Sequence, residues 1–482
     1  MQVHSPVDGS VLAEPSDHTP DDVRELVRRA AVAQPAWEAT APTERGRVLH
    51  RVATLIRAHA DELADLESRN TGKVLSDTRR EVDRAAGCFE YYAGWADKVT
   101  GQTIPVPGEF HTYTDRVAHG VAAGIIPWNV PFFFAAKKMA PALAFGNASI
   151  VKPAPETPLT AIRLRELAVE AGIDEDLVHV VVGGAPAGEA LVRAEETSLV
   201  VFTGHPDTGR IIARTAAESL TPVALELGGK SPQLVFGDAD LDAAADAIVM
   251  GVFASCGQMC IAGSRIIVDQ KVADPLLERL IALTNALTVG SPFDPSSDLG
   301  PQITAVQRDK TMGFIDEALA SGARLAAQAE LPEDPALAGG YYVRPSLFTD
   351  VAPESRLARE EVFGPVAAML TFGSEEEAIE LATDTPFGLA AGVWTQDIGR
   401  GHRTARALKV GNVWINTYRV LSDLVPFGGF GSSGYGRENG DEAVRLYTTT
   451  RATWTALAPG RPPGFQTSAQ AGPTNDKTKD DQ

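Results

Sequence analysis

Cysteine is scarce in this 482-residue chain, which carries only Cys88, Cys256 and Cys260. Three cysteines build no disulfide framework, and an odd count fits a reducing compartment. Cys256 and Cys260 stand four apart with no Cys-x-x-Cys pair and no histidine nearby, so no metal site is expected. Basic residues are outnumbered, 43 Lys plus Arg against 63 Asp plus Glu, a formal net charge of −20. Such a surface repels nucleic acid and anionic membrane, and neither is expected as a partner. Apolar runs are short, the longest lying near Val121 to Ile126 and Phe132 to Ala136, which predicts no transmembrane helix. The N-terminus, from Met1 to Gly9, lacks a basic region followed by an apolar core, so no signal peptide and a cytoplasmic protein are expected.

What is present is a hydrophobic content of 44%, ample for burial, on a chain too long for one ordinary core. Two or three domains of α/β size are predicted. Thr19-Pro20-Asp21-Asp22 is a helix start, with Thr19 as cap, Pro20 at the first position and acids in the first turn. Apolar residues at helical spacing continue from Glu44 to about Asn70 and from Glu81 to Trp95, so the N-terminal region reads as amphipathic helix. The aromatics of that last stretch, Phe89, Tyr91, Tyr92 and Trp95, are assigned to the core.

His111 to Val117 reads as an exposed strand of a hairpin. From 119 to 228 strands and helices alternate, with strands at Gly120 to Ile126, Ser149 to Val151, Val178 to Val182, Leu199 to Phe202 and Val223 to Leu227. This is a run of βαβ units, hence a parallel sheet covered by helices. A second alternating region runs from Gln233 to about Val413, with strands at Gln233 to Phe236, Arg265 to Val268, Val366 to Phe372 and Gly392 to Thr395. Residues 459–482, rich in Gly, Pro, Thr, Asp and Lys, read as a disordered tail.

A cysteine taken alone is as a rule a small packed hydrophobe. Cys260 differs in its context. Cys256-Gly257-Gln258-Met259 precedes it, and Ala262-Gly263-Ser264-Arg265 leads into the apolar run Ile266-Ile267-Val268, an irregular turn feeding a buried strand. Such a turn holds a thiolate over a cleft, and Cys260 is the candidate nucleophile. In parallel sheets ligands bind beyond the carboxyl ends of the strands. Those ends carry Pro127-Trp128-Asn129, Lys152-Pro153-Ala154, Phe202-Thr203-Gly204 and Glu226-Leu227-Gly228-Gly229-Lys230. The turn from Phe202 to Gly209 could cradle a pyrophosphate on a helix N-terminus or be only a tight connection, and it lacks the usual dinucleotide fingerprint.

Taken in order with Gly257-Gln258-Met259-Cys260, Glu361-Val362-Phe363-Gly364-Pro365 and Pro426-Phe427-Gly428-Gly429, these motifs closely resemble the NAD(P)-dependent aldehyde dehydrogenase superfamily, to about residue 455. The resemblance implies a Rossmann-type cofactor domain over 1–100 and 119–229, an α/β catalytic domain over 230–430, and a small β oligomerisation arm over 101–118 and 440–456. It implies oxidation of an aldehyde to a carboxylic acid. Cys260 would form a thiohemiacetal, hydride would pass to the nicotinamide, and water activated by Glu226 would hydrolyse the thioester. Asn129 and the Cys260 backbone N–H would form the oxyanion hole. Trp128, Lys152, Gly204, Gly209, Glu361 and Phe363 would surround the cofactor, NAD with NADP also open. His205 stands where a serine usually touches phosphate, and Pro155 where NAD-preferring members often carry a glutamate, with Glu156 one residue on. Lys138 and Glu438 match a proton path in some members, or form a structural pair.

The alternatives are a CoA-acylating dehydrogenase, whose members usually lack the base matched by Glu226, and a catalytically silent cofactor-binding protein of the same fold. A homodimer or homotetramer is expected, through the strand His111 to Val117 and a strand over Leu446 to Arg451. Positions that carry aromatic rings in members acting on small aliphatic aldehydes correspond here to Val130, Lys137, Leu421 and Phe427, leaving one ring. Arg419 is expected near the same mouth. Arg419 and Lys137 either bind a carboxylate or polar group of the substrate, or pair with acids at a subunit contact.

Overall fold

The computed structural model describes residues 1–458, so the tail assigned to 459–482 lies outside the described residues. Helix α1, Pro20–Ala39, opens on a capping box: the Thr19 hydroxyl accepts from Asp22 N–H and the Asp22 carboxylate from Thr19 N–H. Its inner face buries Val23, Val27 and Ala30. The long periodic stretch that follows is two helices, α2 (Pro42–Ala58) and α3 (Ala60–Thr71), broken at His59. Helix α4, Leu75–Trp95, buries Val82, Ala85, Ala86, Phe89 and Tyr92, while Tyr91 and Trp95 are half-buried.

The first sheet is built from near-continuous apolar strands, as burial on both faces requires. They are β1 (Val121–Ile125), β2 (Ala148–Lys152), β3 (Val178–Val180), β4 (Thr197–Thr203) and β5 (Val223–Glu226). They pair in parallel in the spatial order β5-β4-β1-β2-β3. Strand order therefore reverses between β1 and β4, the place where such sheets open a crevice. Helix α5 (Pro131–Ala144) follows β1 and α6 (Pro206–Ala217) follows β4.

The second sheet holds β6 (Pro232–Val235), β7 (Arg265–Asp269), β8 (Arg324–Gln328), β9 (Ser346–Thr349), β10 (Val366–Phe372), β11 (Ala390–Trp394) and β12 (Asn412–Ile415). Their order is β8-β9-β10-β7-β6-β11-β12, parallel except for the edge pair β8 and β9. Helix α7, Leu241–Phe253, lies between β6 and β7 in the chain and leads into the Cys260 turn. A short strand from far along the chain, β13 (Gly434–Tyr435), returns to the first sheet and pairs antiparallel with β5, Gly434 opposite Glu226.

Residues 1–99 and 118–449 form one compact unit holding both sheets; residues 100–117 and the described residues from 450 on form a second. In the second, strand Phe110–Ala118 pairs with Thr448–Ala456. The strand expected from Leu446 begins two residues later, because Leu446 and Tyr447 are the last turn of helix Glu442–Tyr447, and Tyr447 is buried. No helix of the described residues is long and apolar enough to cross a membrane.

Candidate active site

The turn after α7 is strained and pinned. Ser255, Cys256 and Gly257 carry φ of +56°, +55° and +67° in succession, and a Cβ at Gly257 would overlap the Gly364 carbonyl. Left-handed backbone at non-glycine residues is costly and persists where the surroundings enforce it. Here the Gln258 side chain accepts from Ile303 N–H at 3.0 Å, the Gln258 carbonyl accepts from the Asn129 amide at 2.8 Å, and Tyr418 OH donates to the Ile261 carbonyl at 2.8 Å. Cys260 is thus held from both sides.

Two cavities meet at Cys260. The smaller, about 160 Å³, is lined by Pro127, Trp128 and Asn129 after β1, Thr203 to His205 after β4, Glu226 to Gly228 after β5, and Phe134, Gln307, Lys310, Glu361 and Phe363. It sits at the crevice that the strand order opens. The larger, about 390 Å³, is lined by one face of α4 (Asp77, Arg80, Glu81, Arg84), one face of α5 (Val130, Phe133, Phe134, Lys137), Met250 to Ser255 positions of the α7 end, Met259 to Ile261, and Arg419, Leu421, Phe427 and Asn439. Both helical faces follow i, i+3, i+4, i+7 spacing.

Burial pushes the Cys260 thiol up to about 12, with the Glu361 and Glu226 carboxylates adding to the shift. Among the described residues the Cys260 N–H has no hydrogen-bond acceptor. Asn129 is buried, and one of its two amide protons is committed to Gln258. Glu226 ends β5 with both carboxylate oxygens buried and without hydrogen-bond partners. Burial, reinforced by the charge of Glu438, raises its pKa well above the usual carboxylate range. Glu438 is saturated in charge, though one oxygen lacks a hydrogen bond: it pairs with Lys138, and Lys137 Nζ lies 2.7 Å from its other oxygen, within ion-pair distance but off the line of a hydrogen bond. Despite its burial, the two lysines hold its pKa down at about 2. Lys138 also donates to Thr203 Oγ1 at 2.8 Å.

Glu361 is half-buried and accepts from Gly229 N–H at 2.9 Å. Burial raises it to about 7, and a Cβ at Gly228 would displace its carboxylate. Trp128 and Phe363 meet edge to face at 5.2 Å, and Phe363 has φ +57°. Lys152 and Gly209 lie away from this cavity. Lys152 ends β2, buried, with the Pro153 carbonyl as its one acceptor, and desolvation lowers it to about 8 against the opposing pull of Glu156. Gly209 is buried in α6, where a Cβ would press on Leu227. His205 caps α6, its ring accepting from Asp207 N–H at 3.2 Å. These groups suit a dinucleotide: a carboxylate with acceptor capacity to spare, a lysine with donors to spare, glycines where backbone must approach closely, and a helix N-terminus beside the cavity.

Expectations at the mouth need correcting. Val130, Lys137, Leu421 and Phe427 do line the larger cavity, but Phe133 and Phe134 line it too, so the wall keeps three rings rather than one. Lys137 is not free for an anion, because Glu438 takes its charge. Arg419 is at the wall, donating to the Met250 carbonyl at 3.1 Å. The charged face of α4 was missed altogether, although Asp77, Arg80, Glu81 and Arg84 show it by their spacing.

Comparison with known proteins agrees with this geometry. Residues 1–453 match the Aldehyde dehydrogenase family. A betaine aldehyde dehydrogenase of Cereibacter sphaeroides is 43% identical over 456 residues, 94% of this chain and 93% of the relative. The crystal structure of PnpE in complex with nicotinamide adenine dinucleotide aligns at TM-score 0.94 with 42% identity, covering 97% of this chain and 96% of that one. A betaine aldehyde dehydrogenase from Staphylococcus aureus in complex with NAD+ aligns at TM-score 0.93 with 35% identity, covering 96% and 92%.

Proposed function

The chain belongs to the aldehyde dehydrogenase family, and on that premise we propose that it oxidises an aldehyde to a carboxylate with NAD as hydride acceptor and water as the final nucleophile. The observation that carries this reading is that one thiol, Cys260, forms the shared wall of two cavities. One suits a dinucleotide and the other a small organic substrate. When bound, the nicotinamide supplies the hydride acceptor.

The chain's own residues do the rest. Cys260 passes its proton to the Glu226 carboxylate in the same cavity, and from there to solvent, as its sulfur adds to the carbonyl carbon to give a thiohemiacetal. The oxyanion meets the unused Cys260 N–H and the second amide proton of Asn129, which it takes over from a weak contact with Met259 Sδ at 3.8 Å, donors worth about 3 kcal/mol each by analogy with other oxyanion holes. Loss of hydride leaves a thioester, which a water deprotonated by Glu226 hydrolyses. Burial raises the Glu226 carboxyl well above the usual carboxylate range, which makes it a stronger base than an exposed glutamate. Glu226 facing the Cys260 cavity also favours water over CoA as the resolving nucleophile.

Trp128, Gly204, Glu361 and Phe363 hold the nicotinamide end of the cofactor, and Lys152 with Gly209 the adenosine end. Glu156, acting on Lys152, supports NAD over NADP, since a carboxylate beside the ribose repels a phosphate there. Residues 1–100 with 119–229 serve cofactor binding and 230–430 the chemistry. The strands Phe110–Ala118 and Thr448–Ala456 serve assembly as a homodimer or homotetramer. Three free cysteines suit a reducing, cytoplasmic setting.

The test is NADH formation from an aldehyde panel without CoA, with light scattering on the same sample. Cys260→Ala should lose roughly 10⁴-fold in turnover or more while still binding NAD. Substantial residual turnover would remove Cys260 from its role, and a monomer at micromolar concentration would end the assembly reading.

A further inference from the structure

Charge accounting on the wall of the larger cavity leaves two residues over. Asp77 is paired with Arg80, Glu81 with Lys73, and Lys137 with Glu438. Arg84 and Arg419 remain. Among the described residues neither forms an ion pair, and Arg84 makes no hydrogen bond at all. On a chain with 63 acidic residues, two unpaired guanidiniums on one wall are unexpected. Asp423, which is not part of the wall, and Glu81 act on Arg84, and Asp77 and Glu81 act on Arg419, all from beyond ion-pair distance.

Both arginines are held in place. The Arg84 guanidinium carbon lies 4.1 Å over the Phe133 ring, a contact that holds the group at the wall while its N–H donors stay uncommitted. Arg419 sits at φ +59° with one N–H committed to Met250, so its position is set by the backbone. The remaining lining is largely apolar, from Val130, Phe134, Leu421 and Phe427.

Resting on the aldehyde-oxidising reading above, we propose that Arg84 and Arg419 together bind a carboxylate at the far end of the substrate, so that the enzyme prefers aldehydes carrying an acid group. The apolar lining receives the carbon chain between the two ends, and Cys260 receives the aldehyde. The same two cations repel a quaternary ammonium group, so betaine aldehyde, named for the relatives, is a poor substrate of this chain.

Kinetics on 4-oxobutanoate, butanal and betaine aldehyde test this on wild type, Arg84→Gln, Arg419→Gln and the conservative Arg84→Lys. Wild type should favour 4-oxobutanoate over butanal and betaine aldehyde, with each Gln variant losing about tenfold or more in kcat/KM for the anion, mainly through KM. Butanal kinetics should be unchanged, and Arg84→Lys should recover part of the loss. Equal losses on butanal would make the arginines structural and overturn the proposal, as would betaine aldehyde being the best substrate. Calorimetric titration of unreactive butanedioate into the NAD-loaded protein decides the anion site apart from turnover. Binding weakened about tenfold in both Gln variants supports it, and unaltered or absent binding overturns it, whereas failure of the whole dehydrogenase reading shows as no NADH from any aldehyde.

Discussion

The two cavities share Cys260 and differ in the groups they leave short of partners. On the cofactor side these are two carboxylates, Glu226 with none and Glu361 with one backbone donor, and one lysine, Lys310, with one backbone acceptor. At the mouth they are guanidiniums, Arg84 and Arg419. Between them lies a cluster whose charges are paired, Glu438 with Lys137 and Lys138. A buried charged group without a partner costs stability, which makes such groups candidates for completion by a ligand. By the same logic we expect the charge-saturated cluster to be structural.

The sharpest way to break this contrast is to treat the two neighbouring glutamates alike. Glu226→Gln should lower the steady rate by about 10²- to 10⁴-fold while a rapid first burst of NADH survives, because acylation needs the base less than deacylation does. An equal fall in both phases would take deacylation away from Glu226. Glu438→Gln should act on folding instead. It strands two buried ammonium groups and should cost about 3–5 kcal/mol in denaturant unfolding. A loss no larger than that of Glu226→Gln would show that the distinction between idle and saturated carboxylates is wrong.

The smallest effect concerns Glu361, whose pKa rises from 4.5 to about 7 through burial. The folded protein holds this proton more tightly than the unfolded chain does. The stability it contributes is full below about pH 4.5 and is lost as pH rises through about 7. Glu361→Gln should therefore gain on wild type by roughly 2 to 3 kcal/mol between about pH 5 and about pH 8 when unfolded without NAD, while weakening NAD binding. A gap independent of pH would mean that Glu361 is not charged against its surroundings.

Strands buried in parallel sheets are short apolar runs such as Val121 to Ile125 and Ile266 to Val268, and these were legible because turn residues bound them at strand length, whereas the equally apolar α5 runs on for 14 residues. The edge strands Arg324–Gln328 and Asn412–Ile415 were not foreseen, since partly exposed strands mix polar residues into the run, nor was Ser346–Thr349, which is buried but only four residues long with a Ser and a Thr at its ends. At the site, the turn chemistry around Cys260 and the apolar flanks of Glu226 pointed to a cleft from local sequence alone. The partnership of Lys137 with Glu438 joins residues 301 positions apart, and no local pattern reports it. Arg84 was written in plain helical spacing, but the apolar face of α4 drew the reading toward the core.

The pairing of β13 with β5 sets an order of events during synthesis. Until residues 434–435 leave the ribosome, β5 is the edge of its sheet, and the strand that presents Glu226 has no neighbour on that side. Glu438, which neutralises the lysines of α5, arrives three residues later still. Every strand of the second sheet, through β12, is thus made before the neighbour of β5 and the partner of the α5 lysines appear, so the surroundings of Glu226 are completed after those of Cys260.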